Sequence, residues 1–314
     1  MTAPGLPERT TNPAAAAPKP AWWPRWPAQE PSPRRPGRPT PIGAERAETG
    51  FPGRAVAISA TPAVLLVLVQ ITYPLAHGVG RDRVTVVVVA LSAATALAHA
   101  GVTRGARWAV GLLAIVSGIG FGAEVLGIAT GFPFGSYDYA SGRLGPELIG
   151  VPLIVPLAWT GGLYPVWVVA GMLRHGAARR ISLTALGAVG WDLFLDPQMV
   201  ADGQWTWRST VAGLPGLGQI PVTNYAGWFT VAVVMAGLLQ WWDRTAPDTG
   251  AARMAPVAVF LWTWLGSTLA HAVFLGLPVS AGYGFCGLGL LGIPLVRTLS
   301  ARRITLWPGA HGTM

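Results

Sequence analysis

Long apolar stretches dominate the chain after residue 54, and short polar or glycine-rich stretches separate them. A helix needs about 20 apolar residues to cross the hydrocarbon core of a bilayer, and most of these stretches reach that length. The fifth and eighth stretches are shorter. The pattern therefore predicts an all-α, polytopic membrane helix bundle with seven or eight transmembrane helices, over 55–76, 84–100, 108–130, 147–173, 181–197, 225–242, 255–277 and 280–296.

The two ends of the chain lack this pattern. Residues 1–54 hold 13 of the 28 prolines and no short apolar core of the kind found in secretory signals. We expect them to form a disordered Pro/Arg-rich tail. Residues 55–300 are predicted to form a single transmembrane helical domain, and residues 301–314 a short C-terminal tail.

The composition supports a membrane protein over a soluble one. Hydrophobic residues make up 52% of the chain and charged residues 11%, with a mean hydropathy of +0.46. Soluble globular proteins are about 25% charged. An ordinary soluble enzyme is therefore excluded, as is disorder for most of the chain.

The net charge of +9 does not indicate a nucleic-acid partner, because the basic residues lie between the apolar segments. With eight spans and a cytoplasmic N-terminus, 18 of the 22 Lys and Arg residues fall on the cytoplasmic side. That distribution predicts a multi-pass protein of the plasma (cytoplasmic) membrane. Because Cys286 is the one cysteine, an internal disulfide and a cysteine-based metal site are excluded. We expect no metal and no cofactor.

Two long loops fall on the side with few positive charges. They cover 131–146 and 198–224 and are rich in Gly, Pro, Tyr, Trp and Asp. A simple connector is usually short and polar. We expect both loops to fold back onto the helix ends and to contribute to a site there.

Three acids lie within or at the end of apolar segments, and such acids are candidates for function. Glu124 is in the third segment. Asp192 and Asp196 in the fifth are four residues apart, so a helix places both carboxyls on one face, where they can share a proton. Pro197 is expected to end this helix. The candidate catalytic residues are Asp192, Asp196, Glu124 and, in the first long loop, Asp138.

Aromatic residues cluster around these acids in the sequence. They could form an interfacial belt or a pocket that stabilises a cation. An interhelical hydrogen bond is the favoured interpretation of His271. The candidate substrate-binding residues are Phe134, Tyr137, Tyr139, Trp159, Trp191, Trp205, Trp207, Asn224, Tyr225 and His271.

Four blocks of sequence resemble the carotenoid biosynthesis protein family, whose characterised members are CruF-type carotenoid 1,2-hydratases. The blocks are GFPFGSYDY (131–139), GVPLIVPLAW (150–159), WDLFLDPQMVADGQWTW (191–207) and IPVTNYAGW (220–228). The resemblance implies a membrane enzyme that adds water to a terminal carbon–carbon double bond of an acyclic carotenoid, without a redox cofactor. The implied partners are a lipid-soluble acyclic carotenoid, water, membrane lipids and other membrane enzymes of carotenoid synthesis.

Hydration of an alkene needs a proton donor, stabilisation of a carbocation and a delivered water molecule. The acids and aromatics named above suit these requirements. Three alternatives remain open: a cofactor-free carotenoid cyclase, an intramembrane prenyltransferase that uses Asp192 and Asp196 with Mg²⁺, and a non-catalytic carotenoid-binding or transport protein.

Overall fold

The apolar segments fold as eight long helices in a computed structural model, which describes residues 51–173, 176–247 and 253–305. Most of the predicted tail, 1–50, and residues 306–314 lie outside the described residues. The helices are α1 (Phe51–Thr72), α2 (Val79–Arg104), α3 (Ala106–Thr130), α4 (Ile154–Leu173), α5 (Ala177–Ala201), α6 (Val222–Trp242), α7 (Met254–Leu269) and α8 (Pro278–Thr305).

Seven helices of the described residues are long and apolar enough to cross a membrane, which confirms the predicted polytopic bundle. The exception is α5. It has 25 residues but carries Arg179, Arg180, Asp192 and Asp196. It packs against α4, α6 and α8, which cover Asp192 and Asp196, whereas Arg179 is exposed.

Two groups of contacts define the ends of the bundle. At one end, Arg104 of α2 and Arg180 of α5 both form ion pairs with Asp243, just after α6. At the other end, Asp202, which follows α5, accepts a hydrogen bond from Tyr73, which follows α1. We call the second end the loop end, because the long loops after α3 and α5 meet there.

The loops of the loop end form three short antiparallel pairs of strands. In the first, β1 (Tyr137–Tyr139) pairs with β4 (Trp205–Trp207). This pairing confirms that the two long loops fold together over the helix ends. The other two pairs are β2 (Glu147–Leu148) with β3 (Val151–Pro152), and β5 (Gly213–Leu214) with β6 (Leu217–Pro221).

The fourth apolar segment starts later as a helix than the predicted range 147–173. Its first residues form β2 and β3, and α4 begins at Ile154. Ile149 and Gly150 between the strands have positive φ angles of 54° and 77°, which a continuous right-handed helix does not allow. Apolar residues alone could not distinguish this hairpin from a helix.

Helix α4 lies at the centre of the bundle. About two thirds of its spanning window (67%) is buried, more than in the other spanning helices of the described residues. A close crossing also joins α5 to α8. A Cβ atom added to Gly190 would lie 2.6 Å from the carbonyl carbon of Gly287, so the two backbones are in direct contact. This crossing brings α8 against the turn of α5 that carries Asp192.

Candidate active site

The pairing of β1 with β4 brings aromatic side chains from both loops to one place. Tyr137 lies opposite Trp207, and Tyr139 lies opposite Trp205. Successive side chains of a strand point to opposite faces, so these residues face the helices. Asp138, between the two tyrosines, faces outward and forms a 2.7 Å ion pair with Arg208, which is also exposed.

Asp192 and Asp196 of α5 form a buried carboxyl pair. Their exposed fractions are 1% and 4%. Asn224 of α6 donates its amide to Asp192 at 3.3 Å and also to Asp196. Because the same amide nitrogen of Asn224 reaches an oxygen of each aspartate, the two carboxyls lie side by side. Two close carboxylates do not both ionise readily, so the pair can share one proton.

The prediction that Pro197 ends the helix is wrong, because α5 continues to Ala201. Proline has no N–H to donate to the carbonyl four residues earlier, which here is that of Leu193. That carbonyl instead accepts a 2.8 Å hydrogen bond from the hydroxyl of Ser280 in α8. The neighbouring helix therefore compensates for the missing backbone bond, between the two aspartates.

Glu124 of α3 forms a second buried acid group, 3% exposed. The Tyr137 hydroxyl donates to its Oε2 atom at 2.5 Å, and the Tyr139 hydroxyl donates to the same oxygen at 2.9 Å. Burial raises the pKa of Tyr137 and of Tyr139 well above the ordinary value of 10.0, so both phenols keep the protons they donate. Glu124 is also near enough to act electrostatically on Asp192 and Asp196.

Tryptophan side chains complete the surroundings of the acids. The ring centroids of Trp159 and Trp228 are 4.0 Å apart, and those of Trp159 and Trp191 are 5.2 Å apart with the planes nearly perpendicular. The ring of Trp207 lies 5.6 Å from that of Tyr137. The acids are thus next to several aromatic rings contributed by α4, α5, α6 and the loop strands.

All of these groups line one cavity of about 530 Å³. The volume falls in the range of pockets that hold small organic ligands. Away from the acids, α1, α2 and α7 supply mainly apolar walls. The predicted site residues that line the cavity are Glu124, Tyr137, Tyr139, Trp159, Trp191, Asp192, Asp196, Trp205, Trp207 and Asn224.

The part of the chain that forms this site matches a known protein family. Residues 84–291 match the sequence profile of the family described as carotenoid biosynthesis protein. The chain belongs to that family. The matched region runs from α2 into α8 and includes the three buried acids and both aromatic strands. Helix α1 precedes it, although α1 supplies part of the cavity wall.

A curated relative is also similar to the chain. It is the bisanhydrobacterioruberin hydratase of Haloarcula japonica, 31% identical over 123 residues. The match covers 37% of this chain and 40% of that relative, so it spans less than half of either protein. No solved structure matches the chain.

Four predicted site residues do not line the cavity of this family member. Phe134 packs behind Trp228, with ring centroids 4.5 Å apart, and Asp138 is on the outer surface. Tyr225 packs in a separate buried cluster with Leu193 and Ile220. His271 is fully buried and bonds Ser280 at 2.9 Å. The structure places these residues around the site and not against the cavity.

Sequence reasoning missed two glutamines that line the cavity. Gln198, two residues after Asp196, contacts His271 at 3.0 Å. The Oε1 atom of Gln70 in α1 is buried and has no partner among the described residues. An uncharged amide within an apolar segment attracts little notice in a sequence.

Two ion-pair networks at the loop end were also missed. Arg143 binds Asp82 at 2.7 Å, and Gln204 donates to the same carboxylate at 2.6 Å. Arg81 binds Asp202 at 2.5 Å. In the sequence, these arginines are distinguishable only as charges near helix ends. The networks join the α1–α2 turn to both long loops, so they hold the cover of the cavity in place.

The donor groups of the described residues do not form a metal site. No group of three or more His, Cys, Asp or Glu side chains in that part of the chain is arranged to hold a metal ion. The neighbours of the aspartate pair are a neutral amide and aromatic rings. These groups suit proton transfer next to an apolar ligand better than coordination of a pyrophosphate-bound cation.

Proposed function

We propose that this protein is a carotenoid hydratase that adds water to the terminal double bond of an acyclic carotenoid end. The observation that carries the proposal is the buried carboxyl pair Asp192–Asp196, bridged by the amide of Asn224 beside aromatic rings in a largely apolar cavity. The name of the similar Haloarcula protein supports the same reaction. The product is a tertiary alcohol, and no electrons are gained or lost.

The aspartate pair supplies the proton in this proposal. The π electrons of the terminal double bond form a new C–H bond with the proton shared by Asp192 and Asp196. The less substituted carbon receives the proton, which leaves a tertiary carbocation on its neighbour. A shared proton suits this step, because a carboxyl whose conjugate base is hydrogen-bonded by Asn224 releases its proton more readily.

Aromatic faces stabilise the carbocation. A cation within about 6 Å of an aromatic ring is stabilised by about 0.5–2 kcal/mol. Trp159, Trp191 and Trp228 lie together in the cavity wall beside the acids. The indole ring is a weak base and a weak nucleophile, so it stabilises the charge without removing a proton from the cation or bonding to it.

Water then completes the reaction. Its oxygen lone pair forms the C–O bond, and the oxygen gives up one proton to Glu124. The hydroxyls of Tyr137 and Tyr139 both donate to one oxygen of Glu124. These hydrogen bonds stabilise the ionised carboxylate, which is the form that can accept a proton. Return of that proton to the aspartates restores the starting state, which is consistent with the electrostatic contact between the groups. The net reaction adds one water molecule to one alkene and yields one tertiary alcohol.

The long apolar helices make this a multi-pass membrane protein. We place it in the plasma membrane with a cytoplasmic N-terminus, because most Lys and Arg residues then lie inside. The loop end and its acids accordingly face the outer leaflet. Water reaches the site from that surface, and the carotenoid from the lipid.

Product mass tests the proposal. The chain is expressed in a host that accumulates lycopene or a longer acyclic carotenoid, and the pigments are analysed by mass spectrometry. We expect products heavier by one or two water molecules. Asp192→Asn should abolish them, and Asp138→Asn, which alters an exposed acid of the same loop end, should not. A product of unchanged mass but altered retention would instead indicate a cyclase.

A further inference from the structure

The cavity extends well beyond the acids. One part is formed by Glu124 and the aspartate pair beneath β1 and β4. A second part lies between α1, α2 and α7, where the walls include Leu66, Val88 and Phe260. Both parts belong to one continuous space. The second part has no acid in its walls, so it needs a different explanation from the first.

The outer limit of this second part is an apolar rim. Among the residues that line the cavity, those that are strongly exposed belong to the loop-end termini of α1 and α7 and the turns that follow them. All of them are apolar. They are Ile71, Leu75, Leu269 and Phe274, with exposed fractions of 52%, 72%, 56% and 59%. We call these four residues the rim.

Three observations indicate that the rim faces lipid. Nearer the middle of the bundle, α1 and α7 pack together through Leu66, Ala255 and Val259. Towards water, the Arg81–Asp202 and Arg143–Asp82 ion pairs join the loops above the cavity. The exposed side chains of the rim lie within segments that can span the membrane. All four are apolar, so lipid is a more favourable environment for them than water.

The size of the cavity limits what it can enclose. A volume of about 530 Å³ lies within the range of pockets that enclose a drug-sized ligand. An extended carotenoid is about as long as the hydrocarbon core is thick, roughly 30 Å, and has many more heavy atoms. Only one end of such a molecule fits inside.

We propose that the rim between α1 and α7 is a lateral opening through which one end of a linear polyene enters from the lipid. The rest of the molecule stays in the bilayer while its end reaches the acids. This inference rests on the proposed function for the identity of the ligand. It adds that the protein processes one end at a time and does not contact the far end.

Matched tryptophan variants test the opening. The double variant Ile71→Trp/Leu269→Trp narrows the rim. The control Leu68→Trp/Leu265→Trp places the same side chains on the same two helices, at positions that are similarly exposed (55% and 50%) but do not line the cavity. A second variant, Leu75→Trp, alters the most exposed rim position, where a larger side chain disturbs no packing.

Two quantities are measured for each variant: the initial rate of water addition in membranes that contain lycopene, and the lycopene retained by the purified protein in an Asp192→Asn background. We expect the rim variants to lose about tenfold in rate and most of the retained pigment, with the control unchanged. Equal values for rim and control variants, whether high or low, would overturn the opening.

The two readouts separate this inference from the proposed function. If the parent chain retains lycopene but adds no water, the proposed reaction is wrong, and pigment retention still decides the opening. If the parent chain adds water and the rim variants have the same rate and the same retained lycopene, the proposed reaction is supported and the proposed opening is wrong. If the parent retains no lycopene and adds no water, both proposals are wrong for this ligand.

Discussion

Two groups of buried or half-buried acids in this protein differ in their partners. The acids near the ends of the bundle pair with arginine: Asp82 with Arg143, Asp202 with Arg81, and Asp243 with both Arg104 and Arg180. In the described part of the chain, the cavity acids accept hydrogen bonds from neutral donors. These are Tyr137 and Tyr139 for Glu124, and Asn224 for the aspartate pair.

This difference separates a structural role from a chemical one. An arginine partner holds a carboxylate in its charged form, and it is itself always charged. Such a pair joins elements but cannot exchange a proton. A carboxyl that has only neutral partners can exist with or without its proton, and membrane depth makes the protonated form accessible. We therefore expect substitution of a cavity acid to reduce the reaction rate, and substitution of an arginine-paired acid to reduce stability.

The largest effect is expected at the aspartate pair. Asp192→Asn keeps the size of the side chain but removes the proton that the pair shares, so water addition should fall by about 100-fold or more. The amount of folded protein in detergent should change little. Rates are measured on lycopene in proteoliposomes, with Asp138→Asn as the control. An active, folded Asp192→Asn protein would remove the pair from the mechanism.

Substitution of an acid that pairs with arginine should reduce stability. Asp82→Asn leaves Arg143 without its carboxylate, and Gln204 loses a charged acceptor. We expect a loss of about 1–3 kcal/mol in the free energy of unfolding, because Arg143 remains partly solvated. Thermal unfolding in detergent measures it. The rate per folded molecule at low temperature should stay close to that of the parent. A large loss of rate without a loss of stability would contradict the comparison.

The phenols that bind Glu124 provide a test that depends on pH. Burial raises the pKa of Tyr137 above 10.0, whereas the same residue in the unfolded chain ionises near that value. The folded state keeps a proton that the unfolded state loses, so stability should decline as the pH rises above 10. In Tyr137→Phe this decline should be less steep, as measured by denaturation across pH 8 to 11.

The same variant should also lose activity at neutral pH. Glu124 would keep one phenol donor of two, which we expect to lower the rate by about tenfold. Tyr283→Phe, whose hydroxyl bonds a loop carbonyl at 3.3 Å, serves as the control and should keep the parent rate. Identical rates in both variants would mean that the phenol of Tyr137 does not assist Glu124.

The smallest effect is expected from the hydroxyl that replaces the backbone bond lost at Pro197. Ser280→Ala leaves the Leu193 carbonyl unpaired and also removes the hydroxyl that contacts Nδ1 of His271, which together should cost about 1–2 kcal/mol of stability. Thr298→Ala in the same helix removes a hydroxyl that only bonds the carbonyl four residues earlier, and it should have almost no effect. Thermal unfolding of the two variants, compared side by side, gives the difference.

Local chemistry explains why part of the site was predictable. Glu124, Asp192 and Asp196 are conspicuous because acids are rare in apolar segments. The spacing of the two aspartates places them on one helix face, and the aromatic content of the loops indicates more than a connector. Those inferences need only the helical period and the cost of burying charge.

Other features depended on contacts between distant segments. Pro197 could not be recognised as an interior helix residue, since its compensation comes from Ser280, 83 positions later in the chain. Asp138 and Tyr139 are adjacent, and only the pairing with β4 shows which of them faces the cavity. The contribution of Gln70 and α1 to the cavity wall likewise depends on packing against α2 and α7.

Hydropathy and charge identify this chain as an all-α membrane bundle with acids in its apolar segments, because both act on each segment independently of its neighbours. Which acids share a cavity, which pair with arginine, and which side chains form the rim depend on the tertiary structure. Those properties depend on distances between segments far apart in the chain, and helical periodicity carries no record of them.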